Sequence, residues 1–181
     1  MNNNPIANIK PAKLGSLFAL LTILYSFGLG ATFGLFEKDV KDHLQAEAAA
    51  VKDLVYKGDE AKMKTTTDKS WVYCKRAHTH GAGLGAIALA VIVYMGVIGT
   101  PCFIKFLGSL CIGLGSLGYS VFWMLAALTA PGLGSTGEAK EALYWLAQPS
   151  AGLCILGILL AFIAFLVSMC SRCGGQSEDA C

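Results

Sequence analysis

Four stretches of the chain contain no charged residue. These runs cover residues 14–36, 77–104, 106–137 and 142–171, which is 23, 28, 32 and 30 residues. A membrane-crossing helix needs about 20 consecutive apolar residues to span roughly 30 Å of hydrocarbon, so each run is long enough. Charged residues make up 14% of the chain, whereas a soluble domain has about 25%. The missing charge argues against a soluble domain and predicts four transmembrane helices.

The predicted spans lie near residues 14–36, 82–100, 106–130 and 150–169. They predict an all-α integral membrane protein in which residues 1–181 form one four-helix domain within the lipid bilayer. The first apolar run is longer than the roughly 7–15 residues of a signal-peptide core, so we expect it to be a span. Four spans place both chain termini on the same side of the membrane.

Acidic residues are absent from all four predicted spans. A proton-driven rotor, or a transporter that works through an intramembrane carboxylate, therefore lacks its usual group. The chain also lacks a P-loop, a Ser/His/Asp order and a zinc-protease motif. Its net charge of +2 argues against nucleic-acid binding. These absences favour a protein that is not an enzyme on its own.

Glycine, by contrast, is abundant, with 21 residues. Because lipid tails are as apolar as leucine, membrane helices associate largely by close packing at small residues. Gly30 and Gly34 form a GxxxG pattern in the first span, and Gly81 and Gly85 form another at the start of the second. We expect the Gly-rich faces to make contacts within one bundle, with a second copy, or with other integral membrane subunits.

Most charged residues fall in residues 37–77, which hold nine Lys/Arg and eight Asp/Glu. Gly58 predicts a helix stop there, and Asp68 or a preceding Thr predicts the cap of the next helix. The segment is predicted to form an extramembrane helical hairpin between spans 1 and 2, projecting by up to about 30 Å and able to hold a soluble partner. Its apolar residues recur at helical spacing, at Val40, Leu44, Ala48, Val51, Leu54 and Val55.

The connection between spans 3 and 4 carries its own helix signals. Ser135 and Glu138 have capping-box spacing. This spacing predicts a short helix from about residue 136 that ends or kinks near Pro149. Tyr144 and Trp145 are residue types that favour a membrane–water interface, so we expect this connection to lie at the membrane surface.

Basic residues give conflicting signals about orientation. By the positive-inside rule, the nine Lys/Arg of residues 37–77 favour a cytoplasmic hairpin. The N-terminal tail is basic without acidic residues, and the C-terminal tail carries cysteines that suit a reducing compartment. On the strength of the two tails, we expect a multi-pass protein with cytoplasmic termini.

Histidine is scarce, with three residues in the chain. His43 follows the first predicted span and has Asp39 and Glu47 at i−4 and i+4, on the same helix face. His78 and His80 lie at the mouth of the second span. Imidazole and carboxylate ligands suit Zn, Fe, Cu or Mn, and one histidine from each helix suits haem. These five residues are candidate ligands for a divalent transition metal or haem.

Other roles fit the same histidines. Residues i and i+2 point about 200° apart on a helix, so His78 and His80 cannot bind one ion together if the segment is helical. Beside Lys75 and Arg76, they also fit the pattern of interfacial anchors near an aromatic belt. A quinone or lipid-headgroup site is a further alternative.

The seven cysteines suggest a second candidate metal site. Cys170 and Cys173 form a CxxC pair at the start of a tail, residues 171–181, that we expect to be flexible. With Cys102 and Cys181 they would supply four thiolates for zinc or an iron–sulfur cluster. A zinc ribbon would show a second CxxC pair, so a redox-reactive dithiol and thiols without a special role are the alternatives.

These features favour two main classes of function. The first is a non-catalytic integral membrane subunit of a larger membrane complex, for example a respiratory or other redox assembly. It would pack through its Gly-rich faces and hold a partner by the hairpin. The alternative is a metal- or haem-binding membrane protein that uses His43, His78 or His80. A third class is a small channel or transporter that acts as an oligomer.

Overall fold

The structure is a computed structural model that describes residues 10–174 and the side chains of residues 10–169. Every regular element in this range is helical. A 3-10 turn at Lys10–Ala12 precedes α1 (Lys13–Ala50), α2 (Lys52–Val55), α3 (Glu60–Val97), α4 (Cys102–Leu133), α5 (Thr136–Ala142) and α6 (Tyr144–Gly174). The prediction of an all-helical chain is confirmed.

Four of these helices are long and apolar enough to cross a membrane. They are α1, α3, α4 and α6, and each contains all or most of one of the four uncharged runs. The helices extend beyond the predicted spans, because α1 continues through the polar residues after Phe36 and α3 begins well before Ala82. The chain therefore has the helices expected of a multi-pass membrane protein.

Helix α4 lies at the centre of the bundle. It packs against α1, α3 and α6, whereas α6 makes few contacts with α3. Fifteen of its residues are buried, among them Ser109, Ser116 and Ser120. Helix α6 covers one side of α4 and exposes a wholly apolar outer face. That face includes Ile155, Leu156, Ile158, Leu159, Phe162, Ile163, Leu166 and Val167.

Glycines allow the long helices to approach one another closely. A Cβ atom on Gly113 of α4 would lie 2.4 Å from the backbone oxygen of Gly15 on α1. One on Gly115 would lie 2.7 Å from the backbone nitrogen of Cys154 on α6, and one on Gly85 of α3 would lie 2.7 Å from Ile23 Cγ1 on α1. Backbone-to-backbone packing of this kind is how membrane helices associate without a hydrophobic driving force.

The polar segment begins with a distortion in α1 and ends inside α3. Phe36 has non-helical dihedral angles, with φ −129°, and marks a kink in α1. Helix α3 begins at Glu60, where the Asp59 side chain accepts a hydrogen bond of 2.9 Å from the Lys62 backbone N–H. The prediction that Asp68 or a preceding Thr caps this helix is wrong. Gly58, with φ +77°, breaks the helix, and the next capping residue in the chain is Asp59.

The turn between α1 and α3 packs onto the end of α4. The Tyr56 hydroxyl donates a hydrogen bond of 2.7 Å to the backbone oxygen of Pro131, and the Tyr56 side chain is 2% exposed. Burial raises the pKa of the Tyr56 phenol. The Thr66 hydroxyl donates to the backbone oxygen of Lys62 at 3.0 Å and also lies 3.4 Å from the Gly134 oxygen. The end of the polar segment is thus bound to the bundle.

An exposed ion pair closes the same turn. Lys52 Nζ lies 2.6 Å from a carboxylate oxygen of Glu60. The hydrogen bond from Lys52, and then its charge, lower the pKa of the Glu60 carboxyl. Because exposed pairs of this kind add little free energy of folding, the buried contact of Tyr56 is the stronger constraint on the turn.

The connection between α4 and α6 contains the short helix that the sequence predicts. Ser135 is its N-cap, and its hydroxyl accepts bonds from the backbone N–H groups of Gly137 and Glu138 at 3.1 and 3.4 Å. The helix ends at Ala142 instead of near Pro149. Pro149 is the sixth residue of α6, beyond its first turn, and the helix continues through it.

Candidate functional site

His78 joins α1 to α3 by hydrogen bonds. Its Nδ1–H donates to the backbone oxygen of Ser26 at 2.8 Å, and the Ser26 hydroxyl donates to the backbone oxygen of His78 at 2.7 Å. A Cβ on Gly30 would lie 2.7 Å from His78 Cε1, and one on Gly81 would lie 2.9 Å from Ser26 Cβ. Glycine on both helices therefore makes room for this pair, which holds α1 and α3 together.

His80 has different neighbours, on α4. Its ring centroid lies 5.5 Å from that of Tyr119 and 5.9 Å from that of Trp123. The Arg76 guanidinium carbon lies 5.0 Å from the Trp123 ring centroid and 5.3 Å from that of Tyr73. Because α3 is helical here, His78 and His80 face different helices, as their spacing requires. We call Tyr73, Arg76, His80, Tyr119 and Trp123 the aromatic–cation cluster.

His43 lies far along α1 from the other two histidines. It is exposed, and so are Asp39 and Glu47. From residue 26, which His78 contacts, to residue 43 the helical rise amounts to about 25 Å. Among the side chains of residues 10–169, no group of three or more His, Cys, Asp or Glu is placed to hold a metal ion. The structure does not bring His43 and His78 together, and metal or haem binding by the individual histidines stays a prediction.

The cysteine hypothesis concerns residues at the edge of the described chain. Cys102 is exposed at the start of α4, and Cys74 and Cys111 are buried in the bundle. The side chains of Cys170 and Cys173, and all of Cys181, lie outside the described residues. A thiolate site in the C-terminal tail therefore stays a prediction.

An open cleft lies where α4, α5 and α6 meet. Its volume is about 500 Å³. Aromatic rings of α4 and α6 form its walls. Two of these rings, Tyr119 and Trp123, also belong to the aromatic–cation cluster. The lining residues are Tyr119, Phe122, Trp123, Gly137, Lys140, Glu141, Tyr144, Ala147, Gln148 and Ala151. Clefts of a few hundred cubic ångströms with apolar walls and a few polar groups are typical of small-ligand sites.

The polar groups of the cleft include two opposite charges. Lys140 and Glu141 are neighbours on α5, and both are exposed. The ion pairs found among residues 10–169 are Lys38–Asp42, Lys41–Glu37 and Lys52–Glu60. Neither cleft residue is part of them, so both charges remain available to a ligand. The indole Nε1 of Trp123 is buried and has no hydrogen-bond partner among the described residues.

Comparisons with protein-family models, with curated proteins and with solved structures found no match.

No pattern in the sequence marks the cleft as a site. Tyr144 and Trp145 are residue types expected at a membrane interface, and of the two only Tyr144 lines the cleft. A usable signal was the spacing of Tyr119 and Trp123, four residues apart and therefore on one helix face. Their meeting with Lys140 and Glu141 depends on how α5 folds back beside α4, which no local pattern indicates.

Proposed function

We propose that this chain is a non-catalytic integral membrane subunit of a larger membrane complex. The partner is an integral membrane subunit that contributes at least one transmembrane helix. This helix packs against the outer face of α3, and the polar residues 37–77 provide a contact for a soluble part of the complex.

The observation that carries this proposal is the unequal outer surface of the bundle. Thr79, Gly83, Ala86 and Ala90 are all exposed on α3. They are spaced four, three and four residues apart, so they form one narrow stripe of small side chains. Helix α1 has a second group of exposed small residues at Gly28, Ala31, Thr32 and Gly34, and the remaining outer faces are bulkier. Helix α1 exposes Leu17, Leu20, Leu24 and Phe27, and α6 exposes Ile155, Leu159 and Phe162.

A stripe of small residues lets a second helix approach to backbone distance, whereas leucine and phenylalanine suit contact with lipid tails. The glycines of the bundle support the same distinction. Gly85 packs against α1 within the chain, whereas nothing lies within 4 Å of the Cβ position of Gly83. Glycine within a helix costs about 1 kcal/mol relative to alanine. Contact with a partner helix would offset that cost at Gly83.

Purification from the native membrane in a mild detergent tests the proposal. We expect a partner subunit to co-purify in fixed stoichiometry and to be lost with Gly83→Leu. The matched control is Gly152→Leu on α6, where the Cβ position is also open but the surrounding outer face is bulky, and this variant should keep the partner. Purification as a solitary monomer, as a homo-oligomer, or equal behaviour of the two variants would overturn the proposal.

A further inference from the structure

We propose that the cleft between α4, α5 and α6 binds the headgroup of a zwitterionic phospholipid that bears a primary ammonium. This inference is independent of the partner subunit proposed above. It concerns the opposite charges of the cleft, its aromatic walls and the apolar surface that leads away from it.

The charges of the cleft match those of the headgroup. Lys140 and Glu141 both line it, and neither has a salt-bridge or hydrogen-bond partner among the described residues. As neighbours on a helix, they point about 100° apart, which favours two separate ligand charges over a bond to each other. The phosphate of the headgroup can accept hydrogen bonds from the Lys140 ammonium, and the ammonium of the headgroup can donate to the Glu141 carboxylate.

The walls suit the same ligand. Tyr119, Trp123 and Tyr144 present aromatic rings to the cleft, and a ligand ammonium is attracted to the face of such rings. The Trp123 ring already has one cation against it, the Arg76 guanidinium at 5.0 Å.

The surroundings favour an amphiphile over a water-soluble zwitterion. From Ala151 at the edge of the cleft, α6 continues into its apolar outer face, on which Ile155, Leu159 and Phe162 are each about half exposed. Acyl chains lying along this face would leave the headgroup at the level of the cleft. Tyr144 and Trp145 are 56% and 68% exposed, as expected for residues at a membrane interface.

Lipid binding to the purified full-length protein tests this assignment. Native mass spectrometry in detergent would compare dioleoyl phosphatidylethanolamine with dioleoyl phosphatidylglycerol, which has the same chains and phosphate but no ammonium. We expect phosphatidylethanolamine to bind the unmodified protein more tightly. Glu141→Gln should weaken phosphatidylethanolamine binding about fivefold and leave phosphatidylglycerol unaffected or bound more tightly, and Lys140→Gln should weaken both.

Glu138→Gln is the matched control, because Glu138 lies on the same short helix and does not line the cleft. It should leave both affinities unchanged, and each variant should keep the helical content of the unmodified protein. Tighter binding of phosphatidylglycerol by the unmodified protein would overturn the assignment in favour of a simple anion site. Absence of bound lipid, or equal effects of Glu141→Gln and Glu138→Gln, would overturn it as well.

Discussion

His78 and Ser26 exchange two hydrogen bonds across the contact between α1 and α3. An imidazole with its Nδ1–H directed at a backbone oxygen has one nitrogen committed to structure. His80, in contrast, has two aromatic rings as neighbours, and its side chain makes no hydrogen bond to any residue between 10 and 169. Two histidines separated by a single residue therefore have separate environments, one in the helix contact and one in the aromatic–cation cluster.

Replacing His78 tests whether this residue is a structural clamp. His78→Ala should lower the free energy of unfolding by about 1–3 kcal/mol, because it removes the bond to Ser26 and leaves a gap beside Gly30. His43→Ala is the control, because His43 is exposed on α1, and its effect should stay within about 0.5 kcal/mol. Denaturant titration in mixed micelles measures both. Equal losses in the two variants would contradict the clamp.

The sequence identified His78 as a residue of interest but not its partner. From its residue type and its position beside Lys75 and Arg76, His78 was expected to be an anchor at the membrane surface or a metal ligand. The bond to Ser26 depends on the register between α1 and α3, which is set where Gly30 and Gly81 allow close approach. The GxxxG pattern indicated close packing of these helices, although Gly34 has open space at its Cβ position and takes no part in it.

Among the helices, the long polar extensions of α1 and α3 differ most from the expected arrangement. The sequence correctly indicated a helix before Gly58, where apolar residues recur at helical spacing. It also indicated a helix after Gly58, but from the wrong capping residue. It could not indicate that the turn between them folds against α4. That contact joins Tyr56 to Pro131, 75 residues further along the chain. No sequence pattern at either residue indicates that the two are in contact.

Tyr56→Phe measures how much this contact stabilises the polar segment. Removing the hydroxyl leaves the buried Pro131 oxygen with one donor fewer, so we expect a loss of about 1–2 kcal/mol in the free energy of unfolding. Local opening should also increase, seen as faster hydrogen exchange of the backbone amides in residues 52–66. Tyr144→Phe serves as the control, because Tyr144 is 56% exposed. Unchanged exchange in Tyr56→Phe would show that the turn is held by other contacts.

Across the entire bundle, the four long helices alternate in direction, so successive connections lie at opposite ends. The contacts of Tyr56 with Pro131 and of Thr66 with Gly134 bring the α1–α3 turn and the α4–α5 connection to the same end. The short loop between α3 and α4 lies at the other end. The uncharged runs predicted the four helices well, because length and missing charge are local properties, whereas the cleft arises only from their assembly.

Thiol labelling from one side of the membrane tests this topology. Cys102 is exposed next to the α3–α4 loop, and a cysteine introduced at Lys57 would report the α1–α3 turn. In sealed vesicles of one orientation, a membrane-impermeant maleimide should label one of these positions and not the other. Cys170, Cys173 and Cys181 would be replaced by serine in both proteins, and Cys102 as well in the Lys57→Cys variant, so that each carries one exposed thiol. Labelling of both positions from the same side would contradict a four-span arrangement.

The central place of α4 also has a consequence for how the protein is made. Helix α4 meets the faces of α1 and α3 at Gly15 and at Met95, yet the ribosome completes it after both. At about 5–20 residues per second, synthesis from the end of α3 to the end of α4 takes a few seconds. During that interval the faces of α1 and α3 that α4 covers are unoccupied, and the Tyr56 hydroxyl has no acceptor at Pro131. We expect the translation speed through residues 98–133 to set how long these faces are open to premature association.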